Sequence, residues 1–291
     1  MTDSQVDIMM IGHFAIDRVV VDGHSQTFPG GAVYFGSVAL ARLGVSTAVV
    51  TRLRADDFHL LAEISQAGGR VYAAPGPETS GIENIYNSTD MERRICHPLG
   101  FAGAIQFADI PDLPARIYAI TPIQAGEVNL NLLKAVAERG PVALDIQGFV
   151  RVRDGNNLLF KPWAELAAGL SYVTYLKVDR AEAELLTGLT DLIAATHRLA
   201  EYGPREIVLT QSSGVTVYAD GQIYQAPFAP RSLAGRTGRG DTCFATYLGK
   251  RLTTSPAEAT RWAAAVTTLK QERPGPWRGD LAEVETLLAR L

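Results

Sequence analysis

The stretch GRTGRGDTCFATYLGKRL, residues 235–252, decides how the chain is read. Phe244, Tyr247, Leu248 and Leu252 recur at helical spacing, so the stretch predicts a helix starting near Arg239 or Gly240. The first turn of a helix carries unpaired N–H groups and a partial positive charge. Glycines at 238 and 240 let a ligand approach those N–H groups closely, which makes an anion site. Asp241 is the odd member, because a carboxylate repels a bound phosphate. One reading makes it a stabiliser of the helix N-terminus, worth about 0.3–1 kcal/mol. The other makes it a general base, taking the proton of a hydroxyl that attacks a phosphoryl group held on the N–H groups. Two other motifs fit less well. The P-loop needs Gly-Lys-Ser/Thr, and no lysine follows Gly240. A dinucleotide fingerprint opens the first βα turn and does not lie near residue 238.

The rest of the chain supplies the frame. Its 291 residues suffice for a sizeable core, and 47% hydrophobic with 20% charged residues is ordinary for a globular chain. A net charge of −4 gives no basic field, so neither nucleic acid nor an anionic membrane is expected as a partner. No apolar run approaches the roughly 20 residues of a membrane span. The N-terminal MTDSQVDIMMIGHF reads as a first strand rather than a signal peptide, so cytoplasm is the expected location. Two cysteines, Cys96 and Cys243, cannot build a disulfide framework or a structural zinc site.

Short runs rich in Val, Ile and Tyr recur at 7–12, 45–51, 69–74, 116–120, 141–146, 172–178 and 206–210. Helical patterns at 33–43, 126–139, 179–187 and 190–202 lie between many of them. This alternation predicts an α/β fold with a mostly parallel sheet, and ligands at the carboxyl ends of its strands. Residues 17–28 and 81–97 are too polar for the centre of such a sheet and predict a small β flap. Residues 213–227 predict a third hairpin, turning at Asp220-Gly221.

RTGRGD resembles the Asp-Thr-x-Gly-Ala-Gly-Asp signature of the ribokinase-like (PfkB) carbohydrate kinases. GGAVYFGSVALARLG (30–44) resembles that family's N-terminal signature, and LKVDRAEAELLTG (176–188) its Lys-Pro-Asn-x-x-Glu stretch. AAAVTTLKQERPGP (263–276) resembles the C-terminal helix and loop beside the adenine. The resemblance covers almost the whole chain. It implies a single ribokinase-like three-layer α/β sandwich over 1–291, with flap strands at about 13–29 and 81–98 inserted in it. It implies a kinase that moves the γ-phosphoryl group of ATP, with Mg2+, to a hydroxyl of a small sugar, polyol or nucleoside. Asp241 would be the base, and Gly238, Arg239 and Gly240 the anion hole. Asp17, Gly30, Gly31 and Phe35 would face the substrate. Asp179 and Glu182 would organise the metal and phosphates through water, and Thr210 and Gly214 would lie at the nucleotide.

The departures from the pattern are informative. Gly235 stands where the signature has its first Asp, Arg239 where it has Ala, and Phe35 where the N-terminal signature has Asn. TQSSG (210–214) blurs the nucleotide-side Thr-x-Gly, and DIQGFVR (145–151) stands where an Asp-x-Asn-x-Arg stretch is common. These features look more like the inositol-kinase branch. An inositol-like polyol or unphosphorylated sugar therefore ranks first, a nucleoside second and a sugar phosphate third. A ribokinase-fold binding protein with weakened catalysis is the alternative of another class.

Other residues keep two readings. His13, at a strand end, lines the substrate pocket or is buried without a role. Cys243, in the first helical turn, is a low-pKa thiol or a small packed residue. Arg93 and Arg94, on the flap, reach substrate or face solvent. The flap also offers a contact for a homodimer.

Overall fold

The computed structural model describes residues 5–87 and 90–290, with the side chains of 86–94 excepted. Fifteen strands follow in chain order: β1 (Val6–Ile11), β2 (Ala15–Val21), β3 (His24–Gly30), β4 (Thr47–Leu53), β5 (Arg70–Pro75), β6 (Gly81–Asn87), β7 (Asp90–Gly100), β8 (Ala115–Ile120), β9 (Val142–Asp145), β10 (Arg151–Asp154), β11 (Asn157–Phe160), β12 (Tyr175–Asp179), β13 (Glu206–Gln211), β14 (Gly214–Ala219) and β15 (Gln222–Pro227). Nine of them form one sheet in the order β15-β14-β13-β12-β9-β8-β1-β4-β5. It is parallel from β13 to β5, and β14 and β15 run antiparallel at one edge.

Strand alternation splits the apolar residues of this sheet between two cores. Met9 and Ile11 of β1 pack on one face with Leu133 and Val136 of the helix Leu130–Ala137 and Leu199 of the helix Leu192–Ala200. Ile8 and Met10 pack on the other with Val38 and Leu40 of the helix Ala32–Arg42, and with Phe244 and Leu248 of the helix Arg239–Arg251. The near-continuous hydrophobic runs seen in the sequence follow from burial on both faces. Helices thus cover both sides of a mostly parallel sheet, the three-layer α/β arrangement expected.

A second sheet, β3-β2-β6-β7, supplies the flap. Its β2–β3 hairpin turns at Asp22 and Gly23, with φ of 47° and 82°, and the β14–β15 hairpin turns at Asp220 and Gly221, with φ of 51° and 75°. Both pairs have the positive φ values of a type I′ turn. The flap begins at Ala15 rather than near residue 13, because Gly12 to Phe14 stay in the main body: Gly12 N–H bonds to Val50 O and Phe14 N–H to Thr51 Oγ1. The helix expected over 126–139 is confined to Leu130–Ala137, capped by Asn129 accepting from Leu132 N. A further hairpin, β10–β11, was not expected. His97 of β7 meets the Asn156 carbonyl in its turn at 2.6 Å, which ties the hairpin to the flap.

Chain order reverses between β1 and β8. From β1 the chain runs outward through β4 and β5, and from β8 it runs the other way through β9, β12 and β13. Such a switch point opens a crevice at the carboxyl ends of the strands.

Candidate active site

The crevice holds a cavity of about 140 Å3. Thr121 and Ile123 enter it after β8, Gln147 and Arg151 after β9, and Asp179 and Thr210 at the ends of β12 and β13. Residues 236–241, Asp17, Ile82 and Asn84 of the flap, and Ala32 and Phe35 complete the lining, with the Phe35 ring against Gly238.

The helix begins where the sequence placed its start. The helix starts at Arg239, with Gly238 at its N-cap and φ of 83°. That left-handed conformation suits glycine, and a Cβ there would also lie 2.5 Å from the Phe35 ring. Arg239 N–H bonds to Arg236 O at 3.2 Å and Thr242 N–H to Gly238 O at 3.0 Å, so the chain turns into the helix at the cavity edge. Gly235 is packed even more tightly: a Cβ would lie 1.8 Å from Arg273 O. An aspartate, the family residue at this position, would not fit that contact.

Asp241 sits in the first helical turn, half-buried. Loss of solvent, and then the negative charge of Asp145, push its pKa up to about 6, against the pull of Lys177, Arg151 and Lys270. A carboxylate of that pKa is still ionised at neutral pH and is a stronger base than an ordinary aspartate.

Beneath the loop lies a lysine the sequence reading gave no role. Lys177 is 3% exposed, and its Nζ is 3.1 Å from Asp145 Oδ1 and 3.7 Å from Glu182 Oε2. A Cβ on Gly240 would lie 3.4 Å from Lys177 Cε, so the ammonium sits just under the helix start. Burial alone would lower its pKa, but Asp145, Glu182, Asp179 and Asp241 more than offset this and raise it. Lys177 is therefore a fixed positive charge that also lines the cavity. The motif LKVDRAE contains it, but spacing alone could not show that the side chain turns inward. Arg151, at the end of DIQGFVR, and Arg236 likewise line the cavity.

Not every expected residue reaches the space. Asp17, Gly31, Phe35, Asp179, Thr210, Gly238, Arg239, Gly240 and Asp241 line it. Gly30 does not line it but lies against Asp17, where a Cβ would come 2.2 Å from Oδ2. Asp17 is further held by the Ile82 N–H at 2.9 Å. Glu182 is absent from the lining and is fully buried behind Asp179. The two form a capping box: Glu182 N–H donates to Asp179 Oδ1 at 2.8 Å and Asp179 N–H to Glu182 Oε2 at 2.6 Å. Burial first, and then Asp179, push the Glu182 pKa up to about 7, against Lys177. Gly214 is also absent from the lining. It sits at the start of β14, where a Cβ would lie 2.5 Å from Ala226 O.

His13 does not line the cavity. It is fully buried, 2.8 Å from Ser80 Oγ and 3.4 Å from Glu127 Oε2, and burial lowers its pKa to about 3. Cys243 is fully buried and its thiol is pushed up to about 12, so the low-pKa reading fails and the packed one holds. The Arg93 and Arg94 side chains lie outside the described residues. Among the described residues no three His, Cys, Asp or Glu side chains converge to hold a metal ion, and no helix is long and apolar enough to cross a membrane.

The model of pfkB family carbohydrate kinases matches residues 6–278. A cytidine kinase of Thermococcus kodakarensis is 27% identical over 261 residues, covering 84% of this chain and 87% of that protein. A pyrophosphate-dependent kinase in the ribokinase family, solved with a pyrophosphate analogue and myo-inositol, is 35% identical with a TM-score of 0.88, covering 97% of this chain and 99% of that one. The ribokinase of Arabidopsis thaliana, solved with ribose and ATP, shares the fold at a TM-score of 0.75 and 20% identity, over 98% and 99% of the two chains. The chain belongs to the pfkB family of carbohydrate kinases. It is a phosphotransferase that acts on hydroxyl groups.

Proposed function

We propose that this kinase transfers a phosphoryl group from pyrophosphate to a hydroxyl of a cyclic polyol of the inositol type. The observation that carries the reading is the make-up of the cavity wall. Lys177, Arg151, Arg236, Arg239 and the glycine loop line it together with only a few apolar side chains, Ala32, Phe35, Ile82 and Ile123. Cations and backbone N–H groups suit a compact, highly charged donor, whereas a purine is usually held by apolar walls. The loop that the family resemblance sets beside an adenine is here packed on Gly235, through Gly235 N–H to Gln271 O at 2.7 Å and the Arg273 carbonyl contact. Similarity to the pyrophosphate-dependent kinase with bound myo-inositol supports the same donor and acceptor. Similarity to the cytidine kinase keeps a nucleoside as the second acceptor.

In this reading the Asp17 carboxylate accepts hydrogen bonds from the polyol hydroxyls, and Phe35 faces the C–H side of the ring. Asp241 takes the proton of the attacking hydroxyl. The glycine-loop N–H groups, Arg239 and Lys177 hold the transferred phosphoryl group, and phosphate leaves toward Arg236. Mg2+ fits this donor set: Asp179 offers a carboxylate at the cavity, and Glu182 Oε1 is buried without a hydrogen-bond partner. Held by Asp179 and by Glu182 through water, the ion would neutralise donor charge.

Steady-state kinetics with pyrophosphate and ATP, each against myo-inositol, ribose and cytidine, tests the reading. It expects the highest kcat/KM for pyrophosphate with myo-inositol. A preference for ATP would return the donor to the nucleotide first expected, and a preference for cytidine would return the acceptor to a nucleoside.

A further inference from the structure

Lys270 lies in the last turn of the helix Pro256–Gln271, away from the cavity lining, and is 1% exposed. Its Nζ donates a hydrogen bond to Gly235 O and lies 5.1 Å from the centre of the Phe35 ring. The Phe35 ring in turn presses on Gly238. The ammonium therefore bears on both ends of the glycine segment, on Gly235 through a carbonyl and on Gly238 through an aromatic face. Gly235 is gripped again by its own N–H bond to Gln271 O at 2.7 Å. Burying an ammonium is costly, and here burial, with Arg278 adding to it, lowers its pKa to about 7 against the attraction of Asp241. A leucine or methionine would fill the same space without that cost, so the buried amine calls for a use.

We propose that Lys270 is a positioning residue, whose Nζ, bonded to the Gly235 carbonyl and set against the Phe35 ring, fixes the Gly235–Gly238 segment in its phosphoryl-holding shape. The inference rests on the reading that this loop holds the transferred group. It explains why a charged side chain contacts the back of the loop while the front is lined by Arg236 and Arg239.

Lys270→Met and Lys270→Ala test it, with KM measured separately for pyrophosphate and myo-inositol. Losing a charged hydrogen bond to the loop is expected to raise the donor KM about tenfold or more and to lower kcat, while the acceptor KM moves less than about twofold. Ammonium chloride is expected to restore part of the donor affinity of Lys270→Ala, and tetramethylammonium chloride at the same ionic strength is not. Parent-like kinetics in Lys270→Met, equal shifts in both KM values, or no ammonium response in Lys270→Ala would overturn the proposal. So would failure of both variants to fold with and without ammonium, since Lys270 would then be structural only. Gly238→Ala separates the inference from the reading beneath it. Parent-like donor KM in that variant sinks the loop's role in holding the transferred group, whereas a large rise there with parent-like Lys270→Met kinetics sinks only the role of Lys270.

Discussion

Lys177 Nζ lies 3.1 Å from Asp145 Oδ1, and both side chains are almost fully withdrawn from solvent. The pair joins the end of β9 to the middle of neighbouring β12 and sets a positive charge under the helix start at Gly240. Removing one member leaves the other charge buried and uncompensated. Lys177→Met is expected to cost about 3–5 kcal/mol of stability. Adding Asp145→Asn to it should recover much of that loss. Urea melts of the single and double variants measure both, and a neutral single variant would show that the pair is not buried as described.

Gly238 carries two constraints, a φ of 83° and the Phe35 ring 2.5 Å from where a Cβ would stand. Gly238→Ala should therefore distort the loop and weaken donor binding more than acceptor binding. Gly155 serves as the control, because it has a φ of 59° but no neighbour within 4 Å of a Cβ. Calorimetric titration with a pyrophosphate analogue should show donor affinity lost in Gly238→Ala and retained in Gly155→Ala.

The Asp241 pKa, raised to about 6, sets a pH dependence. A base must be unprotonated, so kcat should be level above about pH 7 and fall as pH drops through about 6, approaching tenfold per unit below it. A pH–rate profile level down to pH 5, with the protein still folded, would remove Asp241 as the group that titrates.

Glu182 tests the metal arrangement. Glu182→Gln keeps the shape of the capping box but removes a charge behind Asp179. It should raise the magnesium concentration needed for half-maximal rate. An unchanged magnesium requirement would reduce Glu182 to a helix cap and a partner of Lys177.

Much of the architecture was written in local pattern. The runs around β1, β4, β8, β12 and β13 are apolar because both faces of those strands are buried, and glycine with a short apolar repeat announced the helix at Arg239. The β10–β11 hairpin was missed although RVRDGNNLLF carries Asp154-Gly155, the same turn signal as Asp220-Gly221; its strands are only four residues each, and its support comes from the distant His97. The site divided along the same line. Gly238 and Asp241 belong to one contiguous motif, whereas Lys177, Arg151 and Lys270 matter only because separate strands and helices bring them to one loop. Lysines in a helical or strand pattern read as solvent-facing, and nothing local distinguished the buried Lys177 and Lys270 from the others.

The most direct test of the account is the turnover of Asp241→Asn. The substitution keeps size and removes the basic oxygen at the helix start. Asp241→Asn is expected to fold and still bind a pyrophosphate analogue, with kcat lowered about 100-fold or more, the usual scale for loss of a general base. A folded Asp241→Asn variant with kcat near that of the parent would contradict it.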